Sequence, residues 1–326
     1  MKSLITGGAG FIGSNLVKVL VERGDEVTVL DNFSVGRLNH LTDYLDNIKV
    51  VKGSVCDIDL MRKLISGTDT VFHLAVECLM RCNSDIRAHE VNVGGTFNAC
   101  LAAQESHAKM VYVSSSEVYG TCKIAPMTEN HPLEPQSIYG LSKLIGEEYV
   151  THFNKYYGLP AVIIRPFNTY GPNHRDDAYS AVITAFIRRL EKGESLIIEG
   201  TGDQSRDFTY VSDTAEGIAE LSKLEHGEIV NIGSGNAISI NDLASTLKKI
   251  YSMENCEKVK YYRFRNPQDI ASSLKKIYGK EDVFINPRPN DVFKLEADIS
   301  LAKAHGYKPR VSMEEGLRKY MVWWRK

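Results

Sequence analysis

Short apolar runs alternate with amphipathic segments through the first half of the chain. The apolar runs are continuous rather than alternating, which is typical of strands in a sheet covered on both faces. Strands that alternate with helices at this spacing predict parallel strands joined by right-handed crossovers, and so a doubly wound α/β sheet of the Rossmann type. The predicted strands are 2–6, 26–30, 48–52, 70–74, 110–114 and 161–165, and the predicted helices lie around 14–23, 59–66, 87–105 and 138–157.

The pattern loosens after Pro172. We therefore predict a Rossmann domain over residues 1–172, with later returns of the chain at about 206–235, and a smaller lobe formed mainly by residues 173–326. A Lys-rich stretch, 252–280, is interpreted as a solvated surface helix and loop. The later elements are predicted as helices at about 179–192, after 212–213 and at 239–251, as strands at 195–199 and 229–232, and as a polar stretch up to Arg206.

A glycine-rich turn follows the first strand, with glycines at positions 7, 10 and 13 ahead of an amphipathic helix. Gly7 would allow the sharp turn, Gly10 would let a pyrophosphate approach the backbone, and Gly13 would let the helix pack close to the sheet. The helix N-terminus then offers free N–H groups to phosphate oxygens. In this strand–turn–helix context the turn predicts a dinucleotide site, whereas three such glycines alone would indicate only a turn.

Asp31 ends the second predicted strand, about twenty residues past the glycine turn. An acidic side chain at this place can bind the 2′-hydroxyl of an adenosine ribose, and it would repel a 2′-phosphate. The sequence therefore favours NAD over NADP. The alternative is that Asp31 is a loop carboxylate that caps the next segment.

Composition excludes several classes of protein. The chain has 326 residues, of which 25% are charged, and its net charge of -2 gives no indication of a nucleic-acid partner. It has no apolar run as long as a membrane span and no room for a signal peptide before the first strand, so we expect a cytoplasmic protein. No metal site is predicted, because the cysteines form no CxxC pair and are interpreted as free thiols. They are Cys56, Cys78, Cys82, Cys100, Cys122 and Cys256.

Two groups of polar residues could carry chemistry. Ser115, Ser116 and Glu117 follow the strand at 110–114, where ligands bind in a doubly wound sheet, although serines after a strand often bond only their own loop. Tyr139 and Lys143 lie four residues apart and so on one face of a helix. A nearby ammonium lowers the pKa of a phenol from about 10 towards neutral, so that the phenolate can take a proton from a sugar hydroxyl. Alone, this pair would usually be an exposed helix pair.

Taken together and in this order, these features resemble the extended short-chain dehydrogenase/reductase family, in its branch of nucleotide-sugar epimerases, dehydratases and decarboxylases. The resemblance runs nearly end to end. Its motifs are the glycine turn, Asp31-Asn32-Phe33, His73-Leu74-Ala75, Val91-Asn92-Val93-Gly94-Gly95-Thr96, the serine run, Tyr139 with Lys143, Arg165-Pro166-Phe167-Asn168-Thr169-Tyr170-Gly171-Pro172, Arg206-Asp207-Phe208 and Arg288-Pro289-Asn290-Asp291-Val292.

The resemblance implies a role for each matching position. Tyr139, Lys143, Ser115, Ser116 and Glu117 would be catalytic, with Ser115 bonding the sugar hydroxyl that is oxidised. The residues implied to bind NAD are Gly7, Gly10, Phe11, Ile12, Asp31, Asn32, Ser54, Val55, Leu74, Ala75, Asn92, Tyr139 and Lys143. The residues implied to bind the sugar nucleotide are Ser115, Asn168, Arg206, Arg288 and Asp291; two guanidiniums also suit a diphosphate, although each could instead form a surface salt bridge.

The chain departs from the family pattern in three places. Ser54 stands where an Asp commonly contacts the adenine amino group, and Val76 replaces the last alanine of the usual His-Leu-Ala-Ala. The stretch from Ile250 to Arg288 is longer than usual, and it contains a possible extra helix at 267–278.

The family's reactions share oxidation at C4 of the sugar to a 4-keto intermediate and then diverge. A carboxylate such as Glu117 could remove the C5 proton, so the sequence favours a 4,6-dehydratase. The alternative is a UDP-hexose 4-epimerase, and a UDP-uronate decarboxylase or a sugar reductase is less favoured. Glu117 could instead point away and act as a cap.

UDP is expected as the nucleotide carrier by analogy. A homodimer is expected because the helices at 87–105 and 138–157 are apolar on more than one face.

Overall fold

The computed structural model describes residues 1–77, 86–176, 181–261, 282–285 and 293–326. Within these residues the main sheet has seven strands, all parallel. Its order is β3-β2-β1-β4-β5-β6-β10, so the chain reverses direction across the sheet between β1 and β4. These strands are β1 (Lys2–Thr6), β2 (Glu26–Asp31), β3 (Ile48–Lys52), β4 (Thr70–His73), β5 (Lys109–Val113), β6 (Ala161–Pro166) and β10 (Ile229–Ile232).

Helices cover both faces of the sheet, and each face carries its own cluster of buried apolar side chains. A π-helical turn, Glu90–Gly94, joins α3 to α4. The helices are α1 (Phe11–Glu22), α2 (Ile58–Ile65), α3 (Ile86–His89), α4 (Gly95–Glu105), α5 (Ile138–Tyr157), α6 (Val182–Glu191), α7 (Val211–Leu221), α8 (Ile240–Tyr261), α9 (Ser300–Ala304) and α10 (Met313–Trp324).

A third apolar cluster lies beyond the carboxyl edge of the sheet, where α6, α8 and α10 pack around two small sheets. One of these sheets has the order β11-β9-β7, and the other pairs β12 with β8. The strands are β7 (Asn168–Tyr170), β8 (Ile197–Glu199), β9 (Ser205–Tyr210), β11 (Ala237–Ser239) and β12 (Val283–Ile285). This layer closes one side of the crevice at the sheet edge. The boundary drawn at residue 172 stays a prediction.

The doubly wound fold is confirmed, and most differences concern short elements. The sequence pattern predicted no strand over 205–210, but β9 forms there, because Arg206 and Asp207 pair with Ile238 and Ala237 of β11. Long-range pairing of this kind leaves little periodic signal in so short a run. Leu38–Asn47 forms a 3₁₀ helix that the sequence pattern did not predict.

Several predicted features cannot be compared with the structure. Cys78, Cys82 and the possible helix at 267–278 lie outside the described residues. Cys56, Cys100 and Cys122 are free thiols, as expected. The described part of the chain contains no helix with the length and apolar character that a bilayer crossing requires.

Candidate functional site

A cavity of about 1460 Å³ opens at the carboxyl edge of the sheet, where the strand order reverses between β1 and β4. In doubly wound sheets this reversal leaves a crevice in which ligands bind. Every sequence-predicted site residue among those described lines this cavity, except Ser116 and Asn92. Arg288 and Asp291 lie outside the described residues.

The glycine turn forms the floor of one end of the cavity. Gly7 adopts a φ of +70°, and a Cβ placed there would lie 2.9 Å from the backbone of Ala75. Only glycine fits this turn without strain, because both the backbone conformation and the approach of the β4 loop exclude a side chain. Gly10 is the extended N-cap of α1 and offers no side chain to the cavity. The first turn of the helix thus faces the cavity with unpaired backbone N–H groups, which suits a pyrophosphate.

Asp31 lies beside this turn and is held in place by two backbone donors. Its carboxylate accepts hydrogen bonds from the N–H of Ala9 at 2.9 Å and the N–H of Phe33 at 2.8 Å. Burial raises the pKa of Asp31, and the two backbone hydrogen bonds oppose that rise. Phe11 packs edge-on against His174 at 4.5 Å between ring centroids on the other side of the turn. Together these residues fit the pyrophosphate and adenosine ribose of a dinucleotide.

The catalytic helix α5 presents Tyr139 and Lys143 to the middle of the cavity. Its N-cap is Ser137, whose hydroxyl oxygen accepts a hydrogen bond from the N–H of Gly140 at 2.9 Å. A Cβ at Gly140 would lie 2.5 Å from the carbonyl oxygen of Glu117. The missing side chain therefore lets α5 approach the short 3₁₀ turn Ser116–Val118, which follows β5.

In that 3₁₀ turn the side chains of the neighbouring residues Ser116 and Glu117 point in different directions. Ser115 caps the turn, and its Oγ accepts a hydrogen bond from the N–H of Glu117 at 3.2 Å. Glu117 lines the cavity together with Ser115, and its Oε2 accepts a hydrogen bond from the Ser137 hydroxyl at 3.4 Å. Ser116 was predicted to be catalytic, but it points away from the cavity and is only 4% exposed. The turn directs consecutive side chains in different directions, which sequence proximity alone does not reveal.

Asn92, which was predicted to bind the cofactor, does not line the cavity. Its Oδ1 accepts a hydrogen bond from the N–H of Glu77 at 2.7 Å, and its Nδ2 donates to the carbonyl of Glu77 and to Ser142 Oγ at 3.1 and 2.9 Å. Ser142 Oγ in turn donates to the carbonyl oxygen of Tyr139 at 2.7 Å. Asn92 therefore ties the loop after β4 to α5 through Ser142, close to Tyr139.

The far part of the cavity contains the residues implied to bind a sugar nucleotide. Asn168 and Arg206 both line it. Asn168 Nδ2 is buried and has no hydrogen-bond partner among the residues that the structure describes. A buried donor without a hydrogen-bond partner is costly. At a cavity wall this amide is therefore suited to donate a hydrogen bond to an acceptor atom of a bound ligand. Arg206 adds a positive charge, which suits the diphosphate expected there.

Some residues at the cavity had not been predicted. Glu77 lies in the loop after β4 and is buried. Its signal was its position two residues after the His73-Leu74-Ala75 motif. Trp323 and Trp324 reach the cavity from α10, about 180 residues after Lys143, and no local pattern links them to it. Within the described ranges, no group of three or more His, Cys, Asp or Glu side chains is arranged to hold a metal ion.

The comparison with protein-family models matches residues 3–233 to the NAD dependent epimerase/dehydratase family. The chain is 35% identical to the UDP-N-acetyl-alpha-D-glucosaminuronate decarboxylase of Bacillus cytotoxicus, over 99% of this chain and 98% of that protein. It is 32% identical to the dTDP-D-glucose 4,6-dehydratase of Mus musculus, over 99% of this chain and 88% of that protein.

Among solved structures, the UDP-glucose 4-epimerase of Thermotoga maritima with UDP-glucose is similar, with a TM-score of 0.87 and 31% identity over 100% of this chain and 99% of that one. By their printed names, these three relatives catalyse three different reactions of nucleotide sugars: decarboxylation, 4,6-dehydration and 4-epimerisation. The glycine turn, Asp31, Tyr139 and Lys143 line one cavity, and the family match covers more than half of the chain. The chain therefore belongs to the NAD dependent epimerase/dehydratase family and is an enzyme of that kind.

Proposed function

We propose that this enzyme keeps NAD bound and converts a nucleotide sugar through a 4-keto intermediate, as a 4,6-dehydratase. The observation that carries the proposal is that the Glu117 carboxylate lines the same cavity as Ser115, Tyr139 and Lys143. UDP is the proposed carrier, since two of the three relatives described above carry UDP in their names.

The cofactor would be held by the glycine turn, by Asp31 at its adenosine ribose and by Lys143 at its nicotinamide ribose. Bound NAD would supply a hydride acceptor at C4 of the sugar and later return that hydride. The protein's own part in the oxidation is the removal of the proton from the C4 hydroxyl. Tyr139 is placed to take it, because the Lys143 ammonium one helical turn away favours the phenolate. Ser115 would hold the same hydroxyl oxygen.

Glu117 accounts for the second half of the reaction. A ketone at C4 acidifies the proton on C5, and a carboxylate beside it can remove that proton. The electron pair then forms the C5–C6 double bond, and the C6 hydroxyl leaves as water after it takes a proton, which the newly protonated Glu117 can supply. The returned hydride would then add to C6 and a proton from solvent to C5, which gives a 4-keto-6-deoxy sugar. The Ser137 hydroxyl orients Glu117 Oε2, and because Ser137 also caps α5, the base is positioned relative to Tyr139. Decarboxylation does not need this base, because a 4-keto uronate is a β-keto acid.

The second candidate is a 4-epimerase, and the same structure offers an observation in its favour. Ser115, Tyr139 and Lys143 are sufficient to remove and return hydrogen at C4, and the large cavity leaves room for a keto sugar to rotate. The Thermotoga maritima neighbour is an epimerase by its printed name. In that case Glu117 would only bond Ser137 and stiffen the N-terminus of α5.

Incubation with UDP-, dTDP- and GDP-sugars, followed by mass spectrometry of the products, tests the proposal. A 4,6-dehydratase gives a product that has lost water. An unchanged mass with an inverted C4 centre would replace it with the 4-epimerase, and loss of carbon dioxide from a uronate would replace it with a decarboxylase. Stoichiometric consumption of added NADH would instead indicate a reductase.

A further inference from the structure

Lys143 is a buried charged residue, of which only 3% is exposed. An ammonium removed from water is costly unless neighbouring groups stabilise it. Its Nζ lies 4.3 Å from the centroid of the Tyr112 ring, over the face of that ring. The Tyr112 ring also stacks with His73, with 6.0 Å between centroids and 21° between the planes. The Tyr112 ring is thus in contact with both the Lys143 ammonium and the His73 imidazole.

The Tyr112 ring is locked in this position. Its hydroxyl donates a hydrogen bond to the carbonyl oxygen of Lys143 at 3.2 Å. A Cβ at Gly146 would lie 2.1 Å from the same hydroxyl oxygen, so the ring fits only because α5 has a glycine one turn after Lys143. The ring is fully buried in a closely packed core, which restricts its movement.

The other titratable groups near Lys143 are either bound by other side chains or neutral. Glu147, one turn further along α5, is bound by Arg165 and by the Ser114 hydroxyl from β6 and the end of β5. His73 on β4 bonds Thr6 and Thr96 with its two ring nitrogens, and burial, helped by the Lys143 charge, lowers its pKa to about 3. The imidazole is therefore neutral and does not repel the ammonium. Tyr139, on the cavity side, is the group whose ionisation Lys143 supports.

We propose that Tyr112 is a positioning residue of the active site, whose ring face holds the Lys143 ammonium charged and aimed at Tyr139. The attraction between a cation and the negative face of an aromatic ring is strongest where both are desolvated, as they are here. The inference rests on the proposed function insofar as Tyr139 is its base. It predicts that removing the ring, and not the hydroxyl, impairs the ionisation of Tyr139.

The test is a near-ultraviolet titration of the intact enzyme, which measures tyrosinate and needs no sugar substrate. The difference between each variant and the same variant carrying Tyr139→Phe isolates the signal of Tyr139. Tyr112→Leu should raise the midpoint of Tyr139 ionisation by about one pH unit or more, because an ammonium that is no longer held beside a titrating group stops lowering that group's pKa by about that much. Tyr112→Phe keeps the ring and should leave the midpoint within about 0.3 units of wild type.

Two controls separate this effect from damage to the core. Phe72→Leu removes an equally buried ring from the neighbouring strand on the opposite face of the sheet, and it should leave the midpoint unchanged. If Tyr112→Leu does not fold, phenylalanines with one, two or three ring fluorines at position 112 weaken the ring face at nearly constant size. The midpoint should then rise with each fluorine.

Equal midpoints for Tyr112→Leu and Phe72→Leu, or no trend across the fluorinated series, would overturn the proposal. An equal shift in Tyr112→Phe would overturn it too, because the hydroxyl and not the ring would then be the determinant. An enzyme that turns out to be an epimerase or a decarboxylase would leave these results unaffected, since the titration does not depend on the substrate.

Discussion

Arg165 of β6 and Glu147 of α5 form an ion pair with two hydrogen bonds that joins the helix to the sheet. Arg165 Nε and Nη2 donate to the two carboxylate oxygens of Glu147 at 2.9 and 2.6 Å, and both side chains are almost fully buried. The Ser114 hydroxyl donates to Glu147 Oε1 at 2.5 Å, and Arg165 Nη1 donates to the Tyr119 hydroxyl at 2.9 Å. Burial alone would lower the pKa of Arg165, but the bonds and the charge of Glu147 outweigh it and raise that pKa. The pair fixes α5, and with it Tyr139 and Lys143, against β5 and β6.

Glu147→Gln should therefore destabilise the protein by about 3–5 kcal/mol, because it leaves a buried guanidinium without a counter-charge. Chemical denaturation measures the change. The double change Glu147→Leu with Arg165→Met should cost less than the sum of the two single changes, since no charge is then left alone. Glu105→Gln, which breaks the exposed pair with Arg62, serves as the control and should leave the midpoint near that of wild type. A neutral result for Glu147→Gln would mean that the pair does not hold α5.

Tyr139→Phe should lower turnover by about a hundredfold or more while fold and bound NAD stay intact, because the variant loses only the group that accepts the proton. Steady-state kinetics with any accepted sugar nucleotide and the absorbance of the released cofactor measure the two effects. Tyr156→Phe, on the exposed face of the same helix, is the matched control and should behave like wild type. A Tyr139→Phe enzyme with near-normal activity would contradict the assigned role.

The protein should purify with NAD and not with NADP, because the Asp31 carboxylate would repel a 2′-phosphate. Asp31 is fixed by Ala9 and Phe33, so the side chain cannot easily turn away from that charge. Extraction of the bound nucleotide and chromatography identify it directly. Asp31→Asn removes the negative charge and should reduce the preference of the enzyme for NAD over NADP. Recovery of mainly NADP from the wild-type protein would refute this reading of Asp31.

Glu117→Gln should separate oxidation from elimination in a 4,6-dehydratase. Oxidation at C4 depends on Tyr139 and Ser115, so it should continue, whereas loss of water should slow by a factor on the order of a hundred or more. Stopped-flow absorbance would then show reduced cofactor accumulating together with the 4-keto sugar. Glu148→Gln, an exposed position on α5, is the control. If Glu117→Gln turns over normally without water loss, the dehydratase proposal gives way to the 4-epimerase.

We propose that the enzyme is a homodimer that pairs through α4 and α5. Val150 and Phe153 on α5 are buried in the core, but Tyr156 and Tyr157 remain 63% and 57% exposed. The double change Tyr156→Glu with Tyr157→Glu should yield a monomer in light scattering, because it places charges in an apolar contact. Val322→Glu, at an exposed site on α10, should leave the mass unchanged. A wild-type monomer at micromolar concentration would contradict the dimer.

The sequence by itself determined the parts of this protein that depend on local pattern. The continuous apolar runs define β1 to β6, since a strand covered on both faces must be apolar throughout. Asp31 and the glycine turn were assignable because a turn, a helix start and a strand end lie at fixed spacings. Tyr139 and Lys143 were assignable because helical geometry alone places residues four apart on one face.

The tertiary structure decided which of the neighbouring polar groups reach the cavity. The 3₁₀ turn after β5 directs Glu117 into the cavity and Ser116 away from it, and Asn92 bonds Glu77 and Ser142 outside the cavity lining. The tertiary structure also brings Arg165 of β6 and Glu147 of α5 together as a buried ion pair. These outcomes depend on contacts between residues far apart in the chain, and hydrophobic periodicity carries no information about which polar groups satisfy one another once they are buried.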